Sequence, residues 1–253
     1  MSAPTLPAAF LDAPLAHRGL HDRAGGVIEN SRAAVKAAVT AGYGIEIDLQ
    51  LSADGEAMVF HDDDLPRLTG ESGPLSAKTA AELARAPLLG SDETIPTLAE
   101  ILSLVGGRAP LLIEIKDQSR AMSAIDGALE RRAAALLASY AGPVALMSFN
   151  PASVAACRDA APAIPRGRTT CAFEEGEWAG LPAVRRAALA RIDDLDALGC
   201  RFISHQHDQL ESEPVRRVKA AGAHVLCWTI RNADQETAAR RIAANITFEG
   251  YRA

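Results

Sequence analysis

The sequence predicts an α/β fold, a closed (β/α)8 TIM barrel with a small insertion after its second strand, and three observations carry that expectation. Short apolar runs alternate with alanine-rich amphipathic stretches along the chain, the pattern of repeated β-α units. Eight such runs occur with helical segments between them. The 253 residues match the usual size of one barrel of this kind and suffice for a full core. A doubly wound open sheet shares the alternation, and length alone also admits two smaller domains. The count of eight favours closure.

The expected barrel strands are Leu15–Arg18, Gly44–Leu49, Leu111–Lys116, Pro143–Ser148, Arg166–Cys171, Arg201–Ser204, His224–Thr229 and Ile246–Phe248. Helices are expected over Ser31–Ala41, Thr97–Val105, Arg120–Tyr140, Pro151–Ala160, Pro182–Leu198, Pro214–Ala221 and Ala233–Ala243. Asn150-Pro151 and Glu213-Pro214 put proline at a first helical position, and Asn30-Ser31 supplies cap candidates. Ala57–His61 breaks the rhythm, because only five residues, with the turn signal Asp54-Gly55, separate it from the preceding strand. So short a link permits a hairpin and forbids a parallel crossover. It reads as a return strand over the barrel mouth. The polar stretch Asp62–Ile95 is then an insertion of loops with at most one short helix, Lys78–Arg85. No linker divides residues 1–253, so the expectation is a single domain.

Composition narrows the function. The hydrophobic fraction is 48% and no run approaches the roughly 18 apolar residues of a spanning helix. The first residues lack the basic and apolar regions of a signal peptide, which points to a cytoplasmic protein without stable membrane insertion. Net charge is −6 and the basic residues are dispersed, so no nucleic-acid surface is expected. Cys157, Cys171, Cys200 and Cys227 form no C-x-x-C pair and read as buried free thiols. The sequence leaves the oligomeric state open.

Chemistry concentrates at strand ends. In Glu46-Ile47-Asp48 the two carboxylates share one face of a strand, and Glu114 and Lys116 share a face at the end of another. Barrel strands present such residues at the C-terminal rim, where barrel enzymes keep their active sites. Three carboxylates buried together repel one another unless a cation joins them. All-oxygen ligands favour Mg2+ or Ca2+ over zinc, with Mn2+ also compatible. The plain alternative is a set of rim carboxylates paired with arginines. His17 and His61 end strands at matching places and suit acid–base work near neutral pH. Arg18 and Lys116 supply fixed cations of the kind that stabilise charge on a phosphoryl group. His21, His205 and His207 read as surface or supporting residues of rim loops.

His17-Arg18-Gly19, Glu29-Asn30-Ser31, Glu46-Ile47-Asp48, Ser52-Ala53-Asp54-Gly55, His61-Asp62, Glu114-Ile115-Lys116 and Trp228-Thr229 occur in that order over most of the chain. Together they resemble the glycerophosphodiester phosphodiesterase family. The resemblance implies a (β/α)8 barrel that hydrolyses a glycerophosphodiester to glycerol 3-phosphate and an alcohol. It implies metal ligation by Glu46, Asp48 and Glu114, acid–base catalysis by His17 and His61, and phosphate binding by Arg18 and Lys116. It also implies that Trp228 and Phe149 pack against the substrate, with Glu29 and Asn30 as a supporting pair at the mouth. The sequence departs from the family at the last strand, where a common Thr-Asp pair is replaced by Thr247-Phe248-Glu249, the acid being displaced by one position or missing. Rival readings are a lysophospholipase D-like enzyme acting on lipid headgroups, a non-catalytic barrel that binds a phosphorylated ligand, and a metal-dependent aldolase or isomerase on the same fold.

Overall fold

A computed structural model describes residues 3–253, apart from the side chain of Glu177. Its strands form from short apolar runs buried on both faces, as parallel strands covered by helices must be. All five residues of Leu111–Ile115, for example, are buried. In chain order the strands are β1 (Leu15–Ala16), β2 (Gly44–Leu51), β3 (Ala57–Val59), β4 (Leu111–Ile115), β5 (Val144–Ser148), β6 (Arg166–Thr170), β7 (Phe202–Gln206), β8 (His224–Ile230) and β9 (Asn245–Phe248). All but β3 run parallel in the order β1-β2-β4-β5-β6-β7-β8-β9, and β9 returns to pair with β1. The ring is closed, a (β/α)8 barrel.

Alternation along the strands divides the interior into two levels. The lower level packs Leu15, Leu112, Ala145, Phe202 and Leu226 against Phe10 and Leu6, which come from the segment ahead of β1. The helix Ala9–Asp12, unforeseen from the sequence, is held there by Asn245, whose Nδ2 donates to Phe10 O at 2.8 Å and Ala13 O at 2.7 Å. Two residues further along each strand, side chains of the same facing enter a cavity: His17, Glu46, Glu114, Met147, Thr169, Ser204, Trp228 and Thr247. An apolar floor thus carries a polar storey. The opposite strand faces meet the helices in the larger core, with Ile47, Ile113, Leu146 and Ile203 among its buried members.

Several expected elements are shorter or divided. The helix expected over Arg120–Tyr140 spans Ala128–Leu137. Before it, Asp117 accepts hydrogen bonds from Ser119 Oγ and the Met122 amide, and Arg120 and Met122 take positive φ, which holds the stretch as a loop. Pro182–Leu198 is two helices, Ala183–Ala190 and Leu195–Leu198, parted at Ile192 with φ +53°. β3 pairs antiparallel with β2, as the hairpin requires, and packs against the helices Leu98–Val105 and Ala128–Leu137. It flanks the barrel instead of crossing the mouth, and only the following His61 reaches the cavity. The segment 62–95 holds more than loops. Helices Pro66–Thr69 and Ala80–Leu83 and a turn at Leu75–Ala77 enclose Leu65, Leu68, Leu75, Leu83, Leu88 and Ile95, buried against Met58 and Phe60. Among the described residues, no helix is long and apolar enough to cross a membrane.

The lower level needs two glycines. A Cβ on Gly44 would stand 2.4 Å from Leu15 Cδ2, and one on Gly167 would stand 2.5 Å from the Phe202 ring and 2.6 Å from Phe202 O. Gly167→Ala is therefore expected to lower stability by about 1–3 kcal/mol, the usual cost of overpacking. Urea unfolding of the variant beside the parent measures this, and a change below about 0.5 kcal/mol would show that β6 and β7 can move apart freely.

Candidate active site

The cavity at the C-terminal ends of the strands has a volume of about 570 Å3. Glu46 and Asp48 enter it from β2 and Glu114 from β4, and β2–β4 register sets Asp48 directly beside Glu114. All three are buried, and each offers a carboxylate oxygen within 4.8 Å of the others. Burial, joined by the charges of Asp48 and Glu114, pushes the Glu46 carboxyl well above its ordinary pKa. A divalent cation among these oxygens would remove that repulsion, so the donor set fits a hard metal ion.

Cations and amides surround the carboxylates. Lys116 Nζ donates to Glu114 Oε1 at 2.9 Å and lies 3.5 Å from Asp48 Oδ1. Arg18 Nε is 3.4 Å from Asp48 Oδ2, and the Arg18 amide donates to Glu46 Oε2 at 3.0 Å. Asn30 Nδ2 donates to Asp48 Oδ2 at 2.9 Å. Burial disfavours the Asp48 charge, but His61, Lys116 and Arg18 together hold its carboxyl well below the usual range. Glu46 and Asp48, two residues apart, thus titrate in opposite directions. Ser31 caps the helix Arg32–Ala41 by accepting from the Ala34 amide, which leaves the Asn30 side chain to Asp48.

Each histidine is anchored through Nδ1 by a carboxylate. His61 Nδ1 lies 2.7 Å from Asp62 Oδ1, and His17 Nδ1 lies 2.6 Å from Glu249 Oε2. An anchored Nδ1–H leaves Nε2 as the ring's free nitrogen, available to the cavity that both residues line. Burial lowers the His17 pKa, and the hydrogen bond to Glu249 partly offsets it. The hydrogen bond from His17, with His21 Nε2 at 3.6 Å and Arg231 Nη2 at 2.8 Å, holds Glu249 well below the carboxylate range. Of the two readings the sequence left open at the last strand, an acid displaced or an acid lost, the structure shows Glu249 reaching His17.

The insertion braces the same rim. Arg67, in the helix Pro66–Thr69, donates to Asp62 through Nε at 2.6 Å and to Glu29 through Nη1 at 2.9 Å and Nη2 at 2.8 Å. Glu29 also accepts from Arg18 Nη1 at 2.6 Å. Burial opposes its charge, yet Arg67 and Arg18 bring the Glu29 pKa down to about 2. Arg18, Glu29, Arg67, Asp62 and His61 form one chain of contacts from the cavity to the insertion.

Aromatic rings occupy the other side. Phe149 lies 5.2 Å from Trp178 and 5.6 Å from Trp228 between ring centroids, and Phe173 lies 4.8 Å from Trp178. Trp228 Nε1 donates to Ser204 O at 2.9 Å.

The structure brings all eleven sequence-predicted site residues to this region. Nine line the cavity itself, whereas Glu29 and Asn30 stand behind Arg18 and Asp48. His205 corrects its expected place in a rim loop. It is buried on β7 with Nδ1 2.8 Å from Thr170 Oγ1, and burial lowers its pKa to about 4. His207 lies in the turn after β7. Sequence reasoning missed the parts played by Arg67, Trp178 and Glu249. Arg67 carries no local signal, but the displaced acid after Thr247 was visible and the Nδ1 contact explains it.

Fold and cavity together define a (β/α)8 enzyme with the apparatus of a phosphoric diester hydrolase. The model of the glycerophosphoryl diester phosphodiesterase family matches residues 17–247, and the chain belongs to that family. Bacillus subtilis YhdW, whose name places it provisionally among the glycerophosphodiester phosphodiesterases, is 27% identical over 242 residues, 92% of this chain and 90% of that one. A Bacillus altitudinis glycerophosphodiester phosphodiesterase is 39% identical over 108 residues, 40% of this chain and 43% of its own length. A phosphodiesterase from Oleispira antarctica, solved in complex with the product sn-glycerol-3-phosphate, superposes with a TM-score of 0.77 at 25% identity. That match covers 95% of this chain and 94% of the other.

Removing Arg67 tests the brace. Arg67→Ala is expected to lower stability at pH 7 by about 1–2 kcal/mol, a figure discounted for the 42% exposure of its side chain. Glu29 has a depressed folded pKa, so its contribution is present above the unfolded carboxylate pKa and lost as pH falls through about 2. Urea unfolding should show the gap between variant and parent narrowing from pH 5 toward pH 2; a constant gap would mean that Arg67 acts through packing alone.

Proposed function

We propose that this protein hydrolyses glycerophosphodiesters to glycerol 3-phosphate and an alcohol, with one divalent cation, Ca2+, Mg2+ or Mn2+, held by Glu46, Asp48 and Glu114. The barrel over residues 1–253 serves as one catalytic domain in this reading, acting on a small-molecule substrate in the cytoplasm. The observation that carries the proposal is the convergence of three carboxylates, two phosphate-competent cations and two carboxylate-anchored histidines on one cavity. When bound, the cation supplies Lewis acidity toward a phosphoryl oxygen.

The remaining chemistry belongs to side chains. Arg18 and Lys116 hold the phosphate and oppose the charge that grows on its oxygens as phosphorus is attacked. Their charges are secure, because Glu114 and Asp48 overcome the burial of Lys116 and raise its pKa, and Asp48 and Glu29 do the same for Arg18. One histidine takes a proton from the nucleophile at Nε2, and the other delivers one to the departing alcohol oxygen. The nucleophile is water, which gives glycerol 3-phosphate directly, or a neighbouring glycerol hydroxyl. The hydroxyl route gives a cyclic diester that water then opens in a second round of proton transfer, with the two histidines in exchanged roles. Asp62 and Glu249 keep each ring in the tautomer and orientation for that exchange. Phe149 and Trp228 pack against the non-phosphate part of the substrate.

Phosphorus NMR of glycerophosphodiesters incubated with protein and each cation tests the reaction, and unchanged diester signals would reject it. His17→Ala and His61→Ala are each expected to lower kcat by about 10²- to 10⁴-fold while leaving the metal-linked rise in Tm in place. Near-parental turnover of either variant is incompatible with its proton-transfer role. Cation addition should raise the Tm of the parent protein, as any ligand of the folded state does, and this rise should vanish in Glu46→Gln and Glu114→Gln. An undiminished rise in both variants would place the cation elsewhere.

A further inference from the structure

Three hydroxyl groups lining the cavity take no part in the chemistry described above. Two of them, on Thr169 and Ser204, stand on the wall opposite β1 and β2, whereas Thr247 on β9 neighbours β1. Thr169, Ser204 and Thr247 follow Gly167, Phe202 and Asn245 by two positions on β6, β7 and β9, so they point inward at the storey of Glu46 and Glu114. They are 2%, 0% and 1% exposed, and all three line the cavity. Among the described residues, none of their Oγ atoms has a hydrogen-bond partner. Two buried hydroxyls on neighbouring strands that are directed elsewhere are satisfied: Ser148 Oγ donates to Ile115 O at 2.6 Å, and Thr170 Oγ1 meets His205 Nδ1 at 2.8 Å. Orphaned hydroxyls gathered around one cavity mark a place that something else completes.

Their position says what that is. Thr169 and Ser204 are register partners on adjacent strands, so their hydroxyls sit side by side. In the order of the ring, β7 stands opposite β2 and β6 opposite β1, which sets the two hydroxyls across the cavity from the carboxylates and from His17. With the phosphate at the carboxylate side, an arm of the diester can extend toward this wall. Phe149, Trp178 and Trp228 flank it, and rings that cover C–H faces beside hydroxyls that meet O–H groups suit a sugar-like alcohol. Among the described lining residues from β5 onward, Arg231 alone is charged.

We propose that Thr169 and Ser204 form a subsite for a neutral, compact polyol, so that the preferred substrate joins glycerol phosphate to a second polyol such as glycerol. The subsite rests on the phosphodiesterase reading for the placement of the phosphate. Its test compares kcat/KM for glycerophosphoglycerol and glycerophosphoethanolamine in the parent protein, Ser204→Ala, Thr169→Val and Thr169→Ser. The parent should favour glycerophosphoglycerol, and the ratio should fall about three- to ten-fold in Ser204→Ala and Thr169→Val, the worth of one neutral hydrogen bond. Thr169→Ser, which keeps the hydroxyl, should restore it. A parental preference for the ethanolamine diester, or a ratio unmoved by the substitutions, overturns the subsite while leaving the phosphodiesterase reading intact. If neither diester is cleaved, that reading fails, and saturation-transfer NMR of free glycerol decides the subsite alone. A glycerol signal lost on combining Ser204→Ala with Thr169→Val supports it; equal signals from parent and variant reject it.

Discussion

Mutual repulsion among Glu46, Asp48 and Glu114 is the constraint around which the mouth of this barrel is organised. Three buried carboxylates with oxygens within 4.8 Å of one another cannot all carry charge unless cations and N–H donors face them. Arg18, Lys116 and Asn30 do so directly, and their own placement calls for further partners. Glu29 steadies Arg18, and Arg67 steadies Glu29. The polar architecture thus spreads outward from β2 and β4 until it reaches the exposed face of the insertion. Holding such a cluster requires a stiff support, and the apolar floor of Leu15, Leu112, Phe202 and Leu226 gives it one.

Much of this was legible in the sequence because barrel strands impose a two-residue period. Glu46-Ile47-Asp48 and Glu114-Ile115-Lys116 announce their shared face by spacing alone, and apolar neighbours locate them on strands. His17 and His61 were legible as strand-terminal residues for the same reason. The limits arise where local signals compete. The stretch before Ala128 has a helical pattern, but Asp117 captures its amides and keeps a loop open beside the cavity. Arg67 was invisible because its meaning lies in Glu29 and Asp62, and only the folded chain brings those carboxylates to one guanidinium. Trp178 was equally silent, since its helix of four residues has no period to detect.

The two histidines show how differently the same Nδ1–carboxylate anchor can be supported. His61 is anchored by the residue next to it, and that aspartate is pinned in turn by the insertion. His17 has no local partner. Its carboxylate comes from Glu249, beyond the strand that completes the ring, and Arg231 shares in holding it. Changes in the insertion would therefore reach one side of the cavity through His61, and changes at the barrel seam the other through His17.

The contact between His17 and Glu249 joins segments 232 residues apart, across the pairing of the first strand with the last. A nascent polypeptide that has placed β2 and β4 already owns its acidic cluster, but its first imidazole stays unclasped until the final strand docks. The same strand that closes the cylinder therefore also brings in the carboxylate that clasps His17.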